Sequence, residues 1–198
     1  MDKRKIRDYW RLLMATLLCW LYIPALIGYV LSGKRRAFID SDVNRKQGQL
    51  DMNLSKGWLL LYFLHNDRYF RSLFYYRLGP IISFFIRWIR PGDKYFVLSQ
   101  TMKMGAGCLI AHPYSTILNA ESIGDFFSCI HCTIIGKKNG ERPIIGHHVS
   151  VGAHVAIIGG IHIGNYVKIG AGSIVVKDVP DNCIVAGNPA KVIRRTDE

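Results

Sequence analysis

Between Ile145 and Val179 the apolar positions recur every six residues. Ile145, Val151, Ile157, Ile163, Ile169 and Val175 lead, and four places after each stands Val149, Val155, Ile161, Val167, Ser173 or Val179. A glycine follows the lead aliphatic at Gly146, Gly152, Gly164 and Gly170. An α-helix repeats every 3.6 residues and a strand every two, so neither produces this spacing. A chain that turns a corner every six residues does. Three short, flat strands with their corners close a coil of ~18 residues, and stacked coils bury the lead aliphatics in one continuous core. Gly, Asn and Asp near the corners allow positive φ where other residues are strained. Carried upstream, the frame picks up Ile135-Gly136, Ile123-Gly124 and, after a one-residue slip near Thr116, Ile110, Met104 and Leu98. A mainly β solenoid of about five coils therefore begins near Leu98.

Upstream of Leu98 the pattern changes. Met1 to Arg11 is basic, and Leu12 to Gly33 runs for 22 residues without a charge before Lys34, Arg35 and Arg36 close it. That run is long enough to cross a hydrocarbon core, which needs ~20 residues. Pro24 and Gly28 interrupt it, and positive charge on both flanks sets no orientation. A span, an in-plane hairpin bent at Pro24 and a buried core helix all fit. No small-x-small cleavage site precedes the basic cluster, which argues against a signal peptide. Asp40 to Asn53 is polar and reads as a surface helix or linker. Trp58 to Leu64 and Leu73 to Tyr76 are apolar, and the break at Gly79-Pro80 is followed by Ile81 to Arg90. As a helix, that last segment puts Ser83, Arg87 and Arg90 on one face and apolar residues elsewhere. It can lie in a membrane interface with its guanidinium groups at the phosphates, or pack on the solenoid with a solvated arginine edge. Two domains follow: residues 1–96, helical, hydrophobic and expected to associate with a membrane, and residues 97–198, the solenoid.

Charge sharpens that division. Residues 1–96 hold 17 Lys and Arg against 7 Asp and Glu, whereas residues 97–198 hold 9 against 7. The basic half calls for an anionic surface, and because its charges flank long apolar runs, lipid is favoured over nucleic acid. The five cysteines, Cys19, Cys108, Cys129, Cys132 and Cys183, are odd in number and scattered, which points to a reducing compartment. Cys129-Ile-His-Cys132 has half of a zinc-site spacing and no second half, so no metal is expected.

The hexapeptide frame, the insertion Lys137–Pro143 between two coils, and the closing Ile169-Gly-Ala-Gly-Ser173 and Ala186-Gly-Asn-Pro-Ala-Lys-Val-Ile193 resemble those of the hexapeptide-repeat acyltransferases. Within that group the C-terminal half looks most like the serine acetyltransferases and the capsular-polysaccharide O-acetyltransferases. The resemblance implies a left-handed parallel β-helix, a homotrimer, acetyl-CoA as co-substrate, and a hydroxyl acceptor.

Acetyl transfer from a thioester to an alcohol needs a base for the hydroxyl proton and donors for the oxyanion. Histidine suits the first task, but among the seven histidines the residues alone do not choose. By resemblance, Ile110-Ala-His-Pro-Tyr-Ser-Thr-Ile117 sits where the family carries its catalytic histidine, which names His112. His131, one coil later, is expected to stack above it and line the same cleft, and His154 to face the CoA groove. Similarity places Gly152-Ala153 and Gly170-Ala171 at the CoA-contacting turns, with Lys191, Arg194 and Arg195 for the nucleotide phosphates. A frayed basic tail is the alternative for those last three. No His-x-x-x-x-His occurs, which argues against a hexapeptide-repeat carbonic anhydrase.

Two departures bear on the acceptor. The Asp-x-His-Pro stretch of serine acetyltransferases falls on Val97-Leu98-Ser99-Gln100, without a carboxylate, and the Arg-His-Pro of their insertion appears as Arg142-Pro143. Burying the ammonium and carboxylate of an amino acid without partners is costly. A neutral sugar hydroxyl of a cell-surface polysaccharide is therefore the first expectation, L-serine the second, and a catalytically silent membrane-bound assembly module the third. The enzyme is expected in the cytoplasm at the inner face of the cell membrane.

Overall fold

A computed structural model of the chain describes residues 3–196. It divides into two compact units, residues 1–93 and 94–198. The first holds six α-helices among its described residues: α1 (Lys3–Leu17), α2 (Ile23–Leu31), α3 (Arg36–Gln47), α4 (Lys56–Asn66), α5 (Arg68–Leu78) and α6 (Pro80–Ile86). The second is a parallel β-solenoid.

In the helical unit, Leu59 to Leu64 of α4 are all buried, together with Ile39 and Val43 of α3 and Phe70 and Phe74 of α5. Of the two expectations for the polar stretch after Asp40, its first part is a surface helix: α3 buries one face through Ile39, Asp42 and Val43, and Asp42 forms a buried two-point ion pair with Arg77 (2.9 and 3.2 Å). Asp67 caps α5 by accepting from the backbone N–H groups of Tyr69 and Phe70, and Lys46 stands 2.8 Å away. Burial opposes the Asp67 charge, but Lys46 and the two backbone donors outweigh it and hold the carboxyl below its ordinary value. Helix α5 ends at Gly79, with φ of 83°, and Arg35 donates to the carbonyl of Leu78 (2.9 Å).

The uncharged run Leu12–Gly33 is not one helix. It breaks after Leu17, and α1 and the Cys19–Leu31 segment meet at 72°; no single described helix is long and apolar enough to cross a bilayer. At ~1.5 Å per residue, the nine residues of α2 span under half of a ~30 Å hydrocarbon core. Helix α2 crosses α6 at Gly28, where an added Cβ would meet Ile82 and Leu78 at 3.1 and 3.2 Å. Ser83, expected beside Arg87 on a polar face, is buried and bonds back to Pro80. What α6 and its following turn expose is mainly apolar, Ile81, Phe84, Phe85 and Trp88, with the charged Arg87 among them.

The solenoid has three parallel sheets. Leu98, Leu118, Ile135, Ile157 and Val175 stand in register in the first. Met104, Ile123, Ile145 and Ile163 do so in the second, extended by a bridge to Val179. Ile110, Cys129, Val151, Ile169 and Val185 form the third. These three columns are five coils deep, and apart from Leu98 their members are buried. The slip near Thr116 is the net of two opposed irregularities. Leu118, not Ile117, carries the column, eight residues after Ile110 and five before Ile123. The C-terminal tail is not frayed: after Asn188-Pro189, Ala190–Arg195 returns antiparallel on Cys183–Gly187.

Coils approach most closely at the corner after the second sheet, where Gly124 lies against Gly146. A Cβ on Gly124 would sit 2.6 Å from the Gly146 carbonyl carbon and 2.7 Å from the His147 nitrogen, backbone atoms that cannot swing aside. Gly124→Ala should lower stability by about 1–3 kcal/mol, read by chemical denaturation. Gly57→Ala, in open space on α4, should be neutral or slightly stabilising. A second measurement concerns pH. Burial, then the charges of Arg90 and Arg71, hold His65 below its ordinary value. The unfolded chain therefore takes up this proton first, and the His65 contribution is fully present above about pH 6.5. It is lost as pH falls through the lowered pKa, so urea midpoints should drop across that interval, with a shallower slope in His65→Gln.

Candidate functional site

The third sheet leads into an edge where the sequence-identified residues gather. Register places Ala111, Ile130, Gly152, Gly170 and Ala186 one above another just past the buried column. Gly152 lies directly against the next coil, since a Cβ there would fall 2.7 Å from the Ala171 nitrogen, and one on Gly170 would fall 2.8 Å from the Ala186 Cβ. Ala153 accepts from Gly172 N–H at 2.9 Å. The two Gly-Ala turns therefore form one continuous wall without large side chains.

His112 lies at the start of the same edge, in a turn with two residues more than its neighbours. Cys132 N–H donates to Tyr114, as His154 N–H donates to His131 and Gly172 N–H to Ala153. Tyr114 thus occupies the rung beneath His131, and His112-Pro113 are additional. The addition closes on itself through a 2.7 Å bond from Tyr114 N–H to the His112 carbonyl. Corner residues of this edge, Ser115, Cys132 and His154, have φ of 51°, 56° and 57°, a geometry every coil requires. His112, at 49°, is left-handed without that requirement. A non-glycine residue in this region costs of order 1 kcal/mol and marks a place to look for function. Its side chain is exposed.

The expected stacking of His131 above His112 is thus corrected: the two inserted residues put Tyr114 there. His131 instead meets His154 edge to face, ring centroids 5.3 Å apart. Tyr114 packs on Tyr95 at 5.6 Å. Cys129 and Cys132 part company: Cys129 is inside the prism, where burial pushes its thiol well up, and Cys132 is at the corner. The C-terminal hairpin carries the basic residues to different places. Lys191 faces Ala186, beside Gly170, while Arg194 faces Ile184 and Arg195 faces Cys183 at the far end of the strand.

Another edge has chemistry the pattern did not suggest. After the second sheet, Phe126, His148 and Tyr166 stack in parallel with centroids 4.9 and 4.7 Å apart. Beside them runs a polar ladder in which His147 N–H donates to Asn165 and Asn165 N–H to Asp181 (2.8 and 2.7 Å), while His147 Nδ1 lies 3.2 Å from Asp125. A cleft of about 480 Å³ opens there, lined by Asp125, His147, His162 and Asn165 among others and by none of the residues named above as base or CoA contacts. Arg142 of the insertion pairs with Glu121 and donates to Thr101. A six-residue frame reports which residues point outward, not which of them meet across coils, so these groupings had no signal in the spacing.

No family model matches the chain. Relatives match about half of the chain. The chain is 41% identical over 101 residues to serine acetyltransferase 2 of Arabidopsis thaliana, covering 48% of this chain and 31% of that protein. It is 40% identical over 101 residues to the putative colanic acid biosynthesis acetyltransferase WcaB of Escherichia coli, covering 49% and 62%. The chain thus spans less than two thirds of either relative's length. Among solved structures, Neisseria gonorrhoeae serine acetyltransferase in complex with serine superposes with a TM-score of 0.66 at 25% identity, covering 80% of this chain and 68% of that one. The fold is that of the hexapeptide-repeat acyltransferases, and about half of the chain is similar in sequence to serine acetyltransferases and to WcaB.

Proposed function

We propose that the solenoid transfers an acetyl group from acetyl-CoA to a hydroxyl, with His112 as base and a sugar of a capsular or other cell-surface polysaccharide as acceptor. The observation that carries this reading is His112 itself: exposed, left-handed where the coil does not require it, and on the same edge as Gly152-Ala153 and Gly170-Ala171. His112 takes the acceptor proton as the oxygen attacks the thioester carbonyl. The tetrahedral oxyanion then collapses, the C–S bond breaks, and the CoA thiolate recovers the proton from His112. The glycine-alanine wall lets the pantetheine arm lie against backbone, and Lys191 beside it, with Arg194 beyond, offers charge to the nucleotide phosphates. His131, in ring contact with His154, lines the approach.

The coil is left-handed and the assembly trimeric, with CoA between neighbouring prisms. The openness of the edge supports this, since His112, His154 and Ala171 are all exposed in a single chain. A neutral acceptor is supported by Val97–Gln100, which bring no carboxylate, by Arg142, already engaged by Glu121 and Thr101, and by the similarity to WcaB. L-serine is the second reading, favoured by the plant relative and by the serine-bound Neisseria structure. The helical unit holds the enzyme at the inner face of the cell membrane. Trp10, Leu17, Trp20, Ile27, Phe85 and Trp88, each 53–73% exposed, support this.

His112→Ala should lower turnover by about 10²–10⁴-fold with CoA affinity unchanged; unchanged turnover would move the base elsewhere. Thiol release from acetyl-CoA, compared between L-serine and a panel of neutral oligosaccharides, should require the saccharide. Serine-dependent release would install the second reading.

A further inference from the structure

The N-terminal end of α2 holds more positive charge than its surroundings neutralise. Tyr22, buried, precedes α2 and bonds through its hydroxyl to His65 Nδ1 (3.1 Å). The Arg90 guanidinium lies 5.8 Å from the Tyr22 ring centroid, interacts with the Tyr22 hydroxyl and donates to the His65 carbonyl (3.2 Å). Arg71, 8% exposed, donates to the carbonyls of Leu64, His65 and Pro91. Tyr75, pushed up to about pKa 12 chiefly by burial, donates to the Arg90 carbonyl and stays protonated. The carboxylate that acts on Arg71 is Asp67, and it is already held by Lys46 and the α5 cap. Arg90 Nε is buried without a hydrogen-bond partner among the described residues. Two guanidinium groups and an unsatisfied N–H call for an anion.

What adjoins this charge says what carries the anion. Ile23, next to Tyr22, begins an open apolar groove of about 290 Å³ lined by Ile23, Leu26, Ile27, Val30 and Leu31 along α2. Trp88 and Ile89, just before Arg90, are 73% and 45% exposed. A phosphate with an apolar tail matches both halves; an acidic peptide or a nucleic acid matches only the first.

We propose that Arg90, backed by Arg71, seats the phosphate of one anionic phospholipid at the head of α2, with an acyl chain along the α2 groove. This rests on the membrane reading above and assigns it a specific lipid site. The test measures binding of the full chain to vesicles of phosphatidylglycerol and of an uncharged galactosyl diglyceride. Arg90→Gln should weaken phosphatidylglycerol binding about 10- to 100-fold and leave galactolipid binding within about twofold. Arg87→Gln removes the same charge from an exposed side chain on the following turn of α6 and should cost about fivefold. Equal losses in the two variants would mean diffuse attraction and overturn the seat. Wild-type protein that binds neither vesicle would instead overturn the membrane reading. Inorganic phosphate that saturates the His65 imidazole resonance as tightly as the lipid does would overturn the lipid assignment. Should Arg90→Gln fail to fold, Arg90→Lys against Arg87→Lys carries the same comparison, because an ammonium keeps the charge and loses the fork.

Discussion

Close approach of backbone at the corners is the constraint on which the solenoid rests. A six-residue side leaves no slack: strands of two or three residues must pair with the coils above and below while the corner between them reverses the chain. Where coils meet at Gly124 and Gly146, or at Gly152 and Ala171, the gap is narrower than a methyl group. The other corner positions accept large residues only in the left-handed region, as Phe126, His148 and Tyr166 show. That repeated geometry stacks their rings on one edge. On another it lays small residues in line beside an exposed histidine. The surface chemistry is a by-product of the repeat, and irregularities in the repeat are where that chemistry departs from the average.

The two-residue addition at His112-Pro113 is the most informative irregularity. A solenoid tolerates extra residues at a corner because the buried column on either side stays in register: Ile110 still pairs with Cys129, and Leu118 with Ile135. The addition costs little in the core and projects one side chain off the regular lattice. The insertion at Lys137–Pro143 obeys the same rule, closing as a small antiparallel turn between Lys138 and Glu141 and returning to register at Ile145. Function on such a scaffold is written in what the corners add, not in what the sides repeat.

The helical unit is governed by a different balance. Its core is aromatic and aliphatic, yet buried arginines run through it, each tied down in its own way. Arg77 meets Asp42 in a fork-to-fork pair, and Arg71 saturates the carbonyls at the end of α4. Arg90, half-buried, is held by the His65 carbonyl and by the ring and hydroxyl of Tyr22, with its Nε buried. Buried charge without a counterion is expensive, so its position beside an exposed apolar helix joins two features that the sequence presents as separate.

The six-residue spacing alone determined the solenoid, its start near Leu98 and its five coils, because only a corner-turning chain buries aliphatics at that interval. The spacing also set Gly152 and Gly170 one coil apart, whereas the role of Gly152-Ala153 and Gly170-Ala171 as CoA-contacting turns came from the resemblance alone. Tertiary structure decided what spacing cannot carry. Two extra residues and one missing residue around Thr116 show in the sequence only as a net slip of one, so only hydrogen-bond register revealed Tyr114 beneath His131. The uncharged run Leu12–Gly33 has the length of a span, and only the tertiary structure shows it broken after Leu17 into segments at 72°, with α2 crossing α6 at Gly28. Hydrophobic pattern records how much apolar surface a segment must hide or offer; which neighbour covers it, and which charge is left over, is settled by long-range packing.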